Sequence, residues 1–157
     1  MSGMLARVPG QGGLAWVILQ YLLGLRNLGH EVFFVESVPD AAIVPRGARL
    51  SESRNAAYFL QVARDFGFEK KATLLNRDTG ETVGVDHAGL AAYSRSCDLL
   101  LNLSGLLPVD SLTSDIPVRA YMDLDPGFTQ LWHEMGDVDL DLHDHTHHVT
   151  IGLAIGR

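Results

Sequence analysis

The stretch from Leu14 to Glu36 constrains the fold most. Leu14–Leu28 is almost wholly apolar, interrupted by Gln20, Arg26 and Asn27. That content predicts a helix covered on most sides, with Trp16 and Tyr21 in the core. Gly29 fits the left-handed position that ends such a helix. Directly after it, Glu31–Glu36 (EVFFVE) is a dense β run whose continuous apolar centre fits a strand buried on both faces. With Met4–Val8 as a short first strand and Pro9–Gly13 as the connecting loop, this reads as strand–loop–helix–strand, the first unit of a doubly wound α/β sheet.

The alternation continues. Ser37–Leu50 holds two prolines and reads as a long loop, and Ser51 or Ser53 can cap a helix running to about Phe66. Ala72–Asn76 and Thr82–Val85 read as short strands, and Ala88–Ser96 as a helix. Asp98–Leu103 (DLLLNL) and Val118–Asp123 (VRAYMD) are further strands, Gly127–Met135 a short helix, Gly136–His147 a polar loop and His148–Ile151 a last strand. The expectation is one three-layer domain with a mostly parallel sheet. In such sheets ligands sit outside the carboxyl ends of the strands. A site is therefore expected at the Gly10–Gly13 loop, Glu36–Pro39, Ser104–Leu107 and Asp123–Gly127.

Charge narrows the partners. The formal net charge is −7. Between Ala120 and Gly156 stand Asp123, Asp125, Glu134, Asp137, Asp139, Asp141 and Asp144 with no Lys or Arg, so the whole excess sits there. No basic footprint exists for nucleic acid. Cys97 is the single cysteine, which excludes an intrachain disulfide and a Cys-rich zinc module, and it reads as an inert small hydrophobe. The Leu14–Leu25 run is shorter than the roughly 20 residues of a membrane span and lacks a cleavage site after it, so a cytoplasmic protein is expected. His30 precedes the first dense strand and reads as a turn or edge histidine.

Three motifs carry possible chemistry. Gly10, Gly12 and Ala15 match G-x-G-x-x-A, and Glu36 follows Ala15 by 21 residues, the spacing of a dinucleotide site whose acid takes ribose hydroxyls. Pro9 in the turn weighs against that, and a plain strand-to-helix turn is the competing reading. Asp123-Leu124-Asp125 is a D-x-D that could share a hard cation or form the polar rim of a substrate cleft. The run His143–His148 (HDHTHH), with Asp137, Asp139 and Asp141 before it, has zinc-type donors, but reads first as a solvated acidic loop. Ser104 lies outside any G-x-S-x-G elbow, which leaves a serine hydrolase without support.

Taken in order, GQGGLAWV, LQYLLGLRNLGHEVFFVE, SCDLLLNLSG, RAYMDLDPGFTQLW and HVTIGLAIG resemble the N-terminal half of GT-B glycosyltransferases, over nearly the whole chain. The resemblance implies one Rossmann-like acceptor-side domain spanning residues 1–157, with the donor-binding domain absent. It implies an acceptor wall of Gly12, Gly13, Ser104, Gly105 and Asp123, and no metal or other cofactor. Family members often carry a histidine base after the first strand; PGQGG has none, so Asp125 is the nominal base from its strand-end position. The expected partner is an acceptor small molecule or glycan, with a nucleotide sugar held only through a second domain, so this chain alone is expected to be inactive. Self-association is expected through exposed apolar surface. The competing functions are a stand-alone nucleotide- or dinucleotide-binding module and a non-catalytic interaction domain.

Overall fold

The computed structural model describes residues 1–108, 110–136 and 142–152. It is a mixed α/β chain with two three-stranded sheets. The elements are α1 (Gly12–Asn27), β1 (Phe34–Val38), α2 (Arg54–Asp65), β2 (Ala72–Asn76), β3 (Thr82–Gly84), α3 (His87–Ser94), β4 (Leu99–Leu103), β5 (Val118–Asp123), α4 (Phe128–Met135) and β6 (His147–Thr150). β1 pairs parallel to β2, and β2 antiparallel to β3. β4, β5 and β6 are parallel throughout, with Asn102 opposite Tyr121 and Tyr121 opposite His148.

A single residue ties the two sheets together. Ser2 makes parallel bridges to Val35 of β1 on one side and to Asn102 of β4 on the other. Its N–H donates to the Leu101 carbonyl at 2.9 Å and its carbonyl accepts from Leu103 at 3.1 Å. The spatial order is thus β3-β2-β1-Ser2-β4-β5-β6, and the strand order reverses direction at Ser2. The expected first strand, Met4–Val8, is corrected: residues 4–8 are irregular and residue 2 takes the strand position. The physical reason is that the N–H groups of Leu5, Ala6 and Arg7 go to the Glu36 carboxylate and are withdrawn from any ladder.

β1 alternates between two cores, as a strand buried on both faces must. Phe34 and Val38 join the cluster formed with α1 and α2, around Leu19, Leu22, Phe59 and Leu74. Phe33 and Val35 face the other way, against Leu90, Leu100, Leu107 and Ile116. Ser53 caps α2 by accepting from the Ala56 N–H at 3.0 Å, and Gly29 ends the turn after α1 at φ +89°. Helix α1 buries only the stripe Ala15, Ile18, Leu19 and Leu22. The expectation that it is covered on most sides is corrected: Trp16 is 59 % exposed and meets Phe66 edge-on at 5.6 Å. Tyr21 does pack against the core. Among the described residues no helix is long and apolar enough to cross a membrane.

Candidate functional site at the carboxyl ends of the strands

The loop after Ser2 is clamped from both sides. Glu36, 1 % exposed, accepts from the Leu5 and Ala6 N–H groups on Oε2 at 3.0 and 2.7 Å, and from the Arg7 N–H on Oε1 at 2.7 Å. Asn55, fully buried, donates through Nδ2 to the carbonyls of Ala6, Arg7 and Ala42 and accepts from the Val44 N–H on Oδ1. One side chain takes the donors of residues 5–7 and the other takes acceptors. Burial pushes the Glu36 carboxyl up to about 7, against the opposing pull of its three N–H partners. The ribose-binding role considered for Glu36 is corrected, because both oxygens are already bonded inside the fold.

The clamped loop leads to Gly10, at φ +86°, and to the start of α1. Gly12 and Gly13 are exposed, and a Cβ on either would meet nothing within 4 Å. Packing inside the protein does not require glycine at either position. Gln11, at the cap, offers no side-chain bond to the first turn.

The turn after β4 is built on Asn102. This fully buried side chain accepts from Ser2 Oγ at 2.6 Å and from the Leu107 N–H at 3.2 Å. Its Nδ2 donates to the Leu107 carbonyl at 2.8 Å and lies 3.0 Å from His145 Nε2. The chain folds back at Ser104 and Gly105, which stand at φ +57° and +63°. Serine is the one non-glycine residue in the left-handed region among the described residues. Ser104→Gly is expected to stabilise the fold by about 0.5–1 kcal/mol, visible as a small rise in urea midpoint, because glycine adopts that geometry without a Cβ penalty. A fall in midpoint would show that the serine hydroxyl contributes more than its backbone costs.

After β5, Asp123 acts as a post. Oδ1 accepts from Thr129 Oγ1 at 2.7 Å and the Asp125 N–H at 3.0 Å; Oδ2 accepts from Gln130 Nε2 at 3.1 Å and Thr150 Oγ1 at 2.9 Å. Burial pushes this carboxyl up, but the four hydrogen bonds together outweigh it and hold it below the ordinary aspartate value. Asp125, two residues on, is exposed, and its carboxylate has no partner among the described residues. Of the D-x-D pair, one acid therefore builds the turn and the other faces outward.

The loops after Ser2, β4 and β5 stand side by side. A Cβ on Gly3 would lie 2.4 Å from Ile18 Cδ1 and 3.4 Å from Leu103, and the Ser104 N–H donates to the Met122 carbonyl at 2.9 Å. No hydrogen bond among the described residues joins Gly12 or Gly13 to Ser104, Gly105 or Asp125. Asn55 and Asn102 escaped the sequence reading, since a single asparagine in a helix or strand carries no motif.

The Asp/His run divides. Asp137, Asp139 and Asp141 lie outside the described residues. His143, His147 and His148 are exposed, but His145 is 6 % exposed and packs edge-on against Tyr121 at 5.3 Å, which corrects its expected place in a solvated loop. Among the described residues no three His, Cys, Asp or Glu side chains converge. Two open cavities lie at the opposite, amino edge. One, of about 410 Å³, is lined by Arg26, His30 and the exposed Lys71–Glu31 ion pair (3.0 Å). The other, of about 630 Å³, is lined by Leu25, Tyr93, Cys97 and Leu99. Burial raises the Cys97 thiol above its ordinary value, which keeps it a weak nucleophile.

No protein-family model, no curated protein and no solved structure matches this chain.

Proposed function

We propose that this chain is a Rossmann-like, cytoplasmic acceptor-side domain of a GT-B nucleotide-sugar glycosyltransferase. The observation that carries the reading is the exposed Asp125 carboxylate, without a partner among the described residues, at the carboxyl end of β5, one strand removed from the strand-order reversal at Ser2. Ligands of open α/β sheets sit at such reversals. The bare Gly12–Gly13 start of α1 and the Ser104–Gly105 turn supply the remaining walls, with N–H groups and little side-chain bulk to meet a polyhydroxylated acceptor. Asp123 holds the Asp125 turn in place through the Asp125 N–H. In the reaction an acceptor hydroxyl attacks the anomeric carbon of a nucleotide sugar, Asp125 takes the hydroxyl proton, and the nucleoside diphosphate leaves with the bonding electrons. No cofactor takes part. In this reading residues 1–157 supply the acceptor side, and transfer also needs a donor-binding domain, so that both reactants are held together.

The test is amide chemical-shift mapping with a panel of mono- and oligosaccharide acceptors, then with nucleotide sugars and NAD. Shifts confined to Gly12, Gly13, Gly105 and the Asp125 turn, caused by acceptors alone, are expected. Shifts caused by NAD at Gly10–Gly12 would favour the dinucleotide module. Sugar transfer by this chain alone would overturn the half-enzyme reading.

A further inference from the structure

Helix α4 is mounted inside out. Its polar residues Thr129 and Gln130 face Asp123 and tie it to the sheet, and Thr129 is its one buried residue. Its apolar residues Phe128, Leu131, Trp132 and Met135 recur at i, i+3, i+4 and i+7, one continuous face. That face points to solvent: Phe128 is 60 % exposed, Leu131 51 %, Trp132 40 % and Met135 58 %. The Phe128 and Trp132 rings pack on each other at 5.7 Å, which makes the patch contiguous. Self-association is expected from the apolar α1 helix and a missing domain interface; the α1 stripe is in the core, and although Trp16 and Leu28 of that region are exposed, the contiguous exposed apolar face is the one on α4.

We infer that the outward face of α4 docks a protein surface that is apolar at its centre and rimmed with Lys and Arg. The spacing is that of a helix laid into an apolar groove, and aromatic anchors dominate such contacts. Charge selects among the possible occupants. Exposed Asp125 precedes the helix, exposed Glu134 flanks the apolar face, and no Lys or Arg occurs from Ala120 to Gly156. A second copy would bring acid against acid, and an anionic bilayer would repel the same surface. A basic rim is the complement. This inference stands apart from the glycosyltransferase reading and survives its failure.

The experiment uses Trp16→Phe protein, in which Trp132 is the sole tryptophan. The probe is a short amphipathic helical peptide of leucine and lysine. Its controls are the same composition scrambled to leave no apolar face, and a leucine–glutamate counterpart. The expected result is a blue shift of Trp132 emission with the leucine–lysine peptide. Binding should be at least about tenfold weaker for either control, and should weaken with added salt. The Leu131→Ser, Met135→Ser double variant should lose about tenfold while keeping the wild-type circular dichroism, since both side chains are exposed. Equal binding of the glutamate peptide, unchanged binding by the folded double variant, partition onto phosphatidylglycerol vesicles, or a dimer that the double variant dissolves would each overturn the proposal.

Discussion

Glu36→Gln is expected to destabilise the fold by about 3 kcal/mol at pH 5, a drop in melting temperature of roughly 6–12 °C for a chain of this size. The residue accepts three buried N–H groups on two oxygens. A carboxylic acid, charged or protonated, can accept on both oxygens; the glutamine amide replaces one of them with a donor. Whichever way the amide turns, it faces at least one backbone N–H, and that N–H is left without a partner in a site closed to water. The size of the gap should depend on pH. In the folded chain the Glu36 carboxyl is pushed up to about 7, against 4.5 when unfolded. Between those values the folded state binds more protons, so its stability falls as pH rises, by roughly 3 kcal/mol over the whole window. Glutamine does not titrate. The difference between wild type and variant should therefore be largest near pH 5 and narrow as pH passes 7. Urea unfolding at several pH values measures it; a gap that stays flat, or widens with pH, would reject this account.

Repeating patterns were what the sequence made legible. EVFFVE, ATLLN, DLLLNL and VRAYMD read as strands from their apolar content, and Ala72–Asn76 and Val118–Asp123 form at the expected residues, whereas the strand expected over Glu31–Glu36 forms at Phe34–Val38. The alternation of these runs with helices indicated an α/β sheet, and Gly29 marked the end of α1. What escaped was contact between residues far apart in the chain. The placement of residues 4–8 outside the sheet follows from Glu36, about 30 residues later, which takes their N–H groups. Without that contact in view, Met4–Val8 looked like the strand, while the single bridging residue Ser2 gave no pattern to notice. Trp16 looked like core because a helix rich in apolar residues does not say which of them exceed the stripe its neighbours can cover. Gly127–Met135 reads as a short helix, but its sequence alone does not say which way its apolar residues face. That direction was fixed by Asp123 bonding Thr129 and Gln130, a contact between a strand end and the first turn of the next helix. At the candidate site Asp123 and Asp125 were legible as a pair, and their opposite roles were not, because burial separates them and spacing does not.

Asp123→Asn is expected to cost about 3 kcal/mol at neutral pH, and Asp123→Ala somewhat more. Four donors converge on the two carboxylate oxygens, and asparagine keeps one acceptor. If its amide nitrogen takes the Oδ2 position it confronts Gln130 Nε2. Gln130 cannot simply turn over, because its Oε1 accepts from the Gly127 N–H. If the nitrogen takes the Oδ1 position it confronts the Asp125 N–H, which cannot turn at all. The loss should be local first. Thr150 links β6 to Asp123, and Thr129 and Gln130 link α4 to it, so amide exchange should quicken in α4 and β6 while β1 and β2 keep their protection. The pH signature should be opposite to that of Glu36. Asp123 is held below the ordinary aspartate value, so its stabilisation is present above about pH 4 and is lost as pH falls through its lowered folded value. Wild type and Asp123→Asn should therefore converge in acid and separate as pH rises to neutrality, whereas wild type and Glu36→Gln separate in acid and converge above pH 7. Acid unfolding curves for both variants, recorded beside hydrogen exchange at neutral pH, distinguish the two carboxylates. If Asp123→Asn kept the wild-type neutral stability and the protection of β6, the post joining β5, α4 and β6 would not be what holds the Asp125 turn.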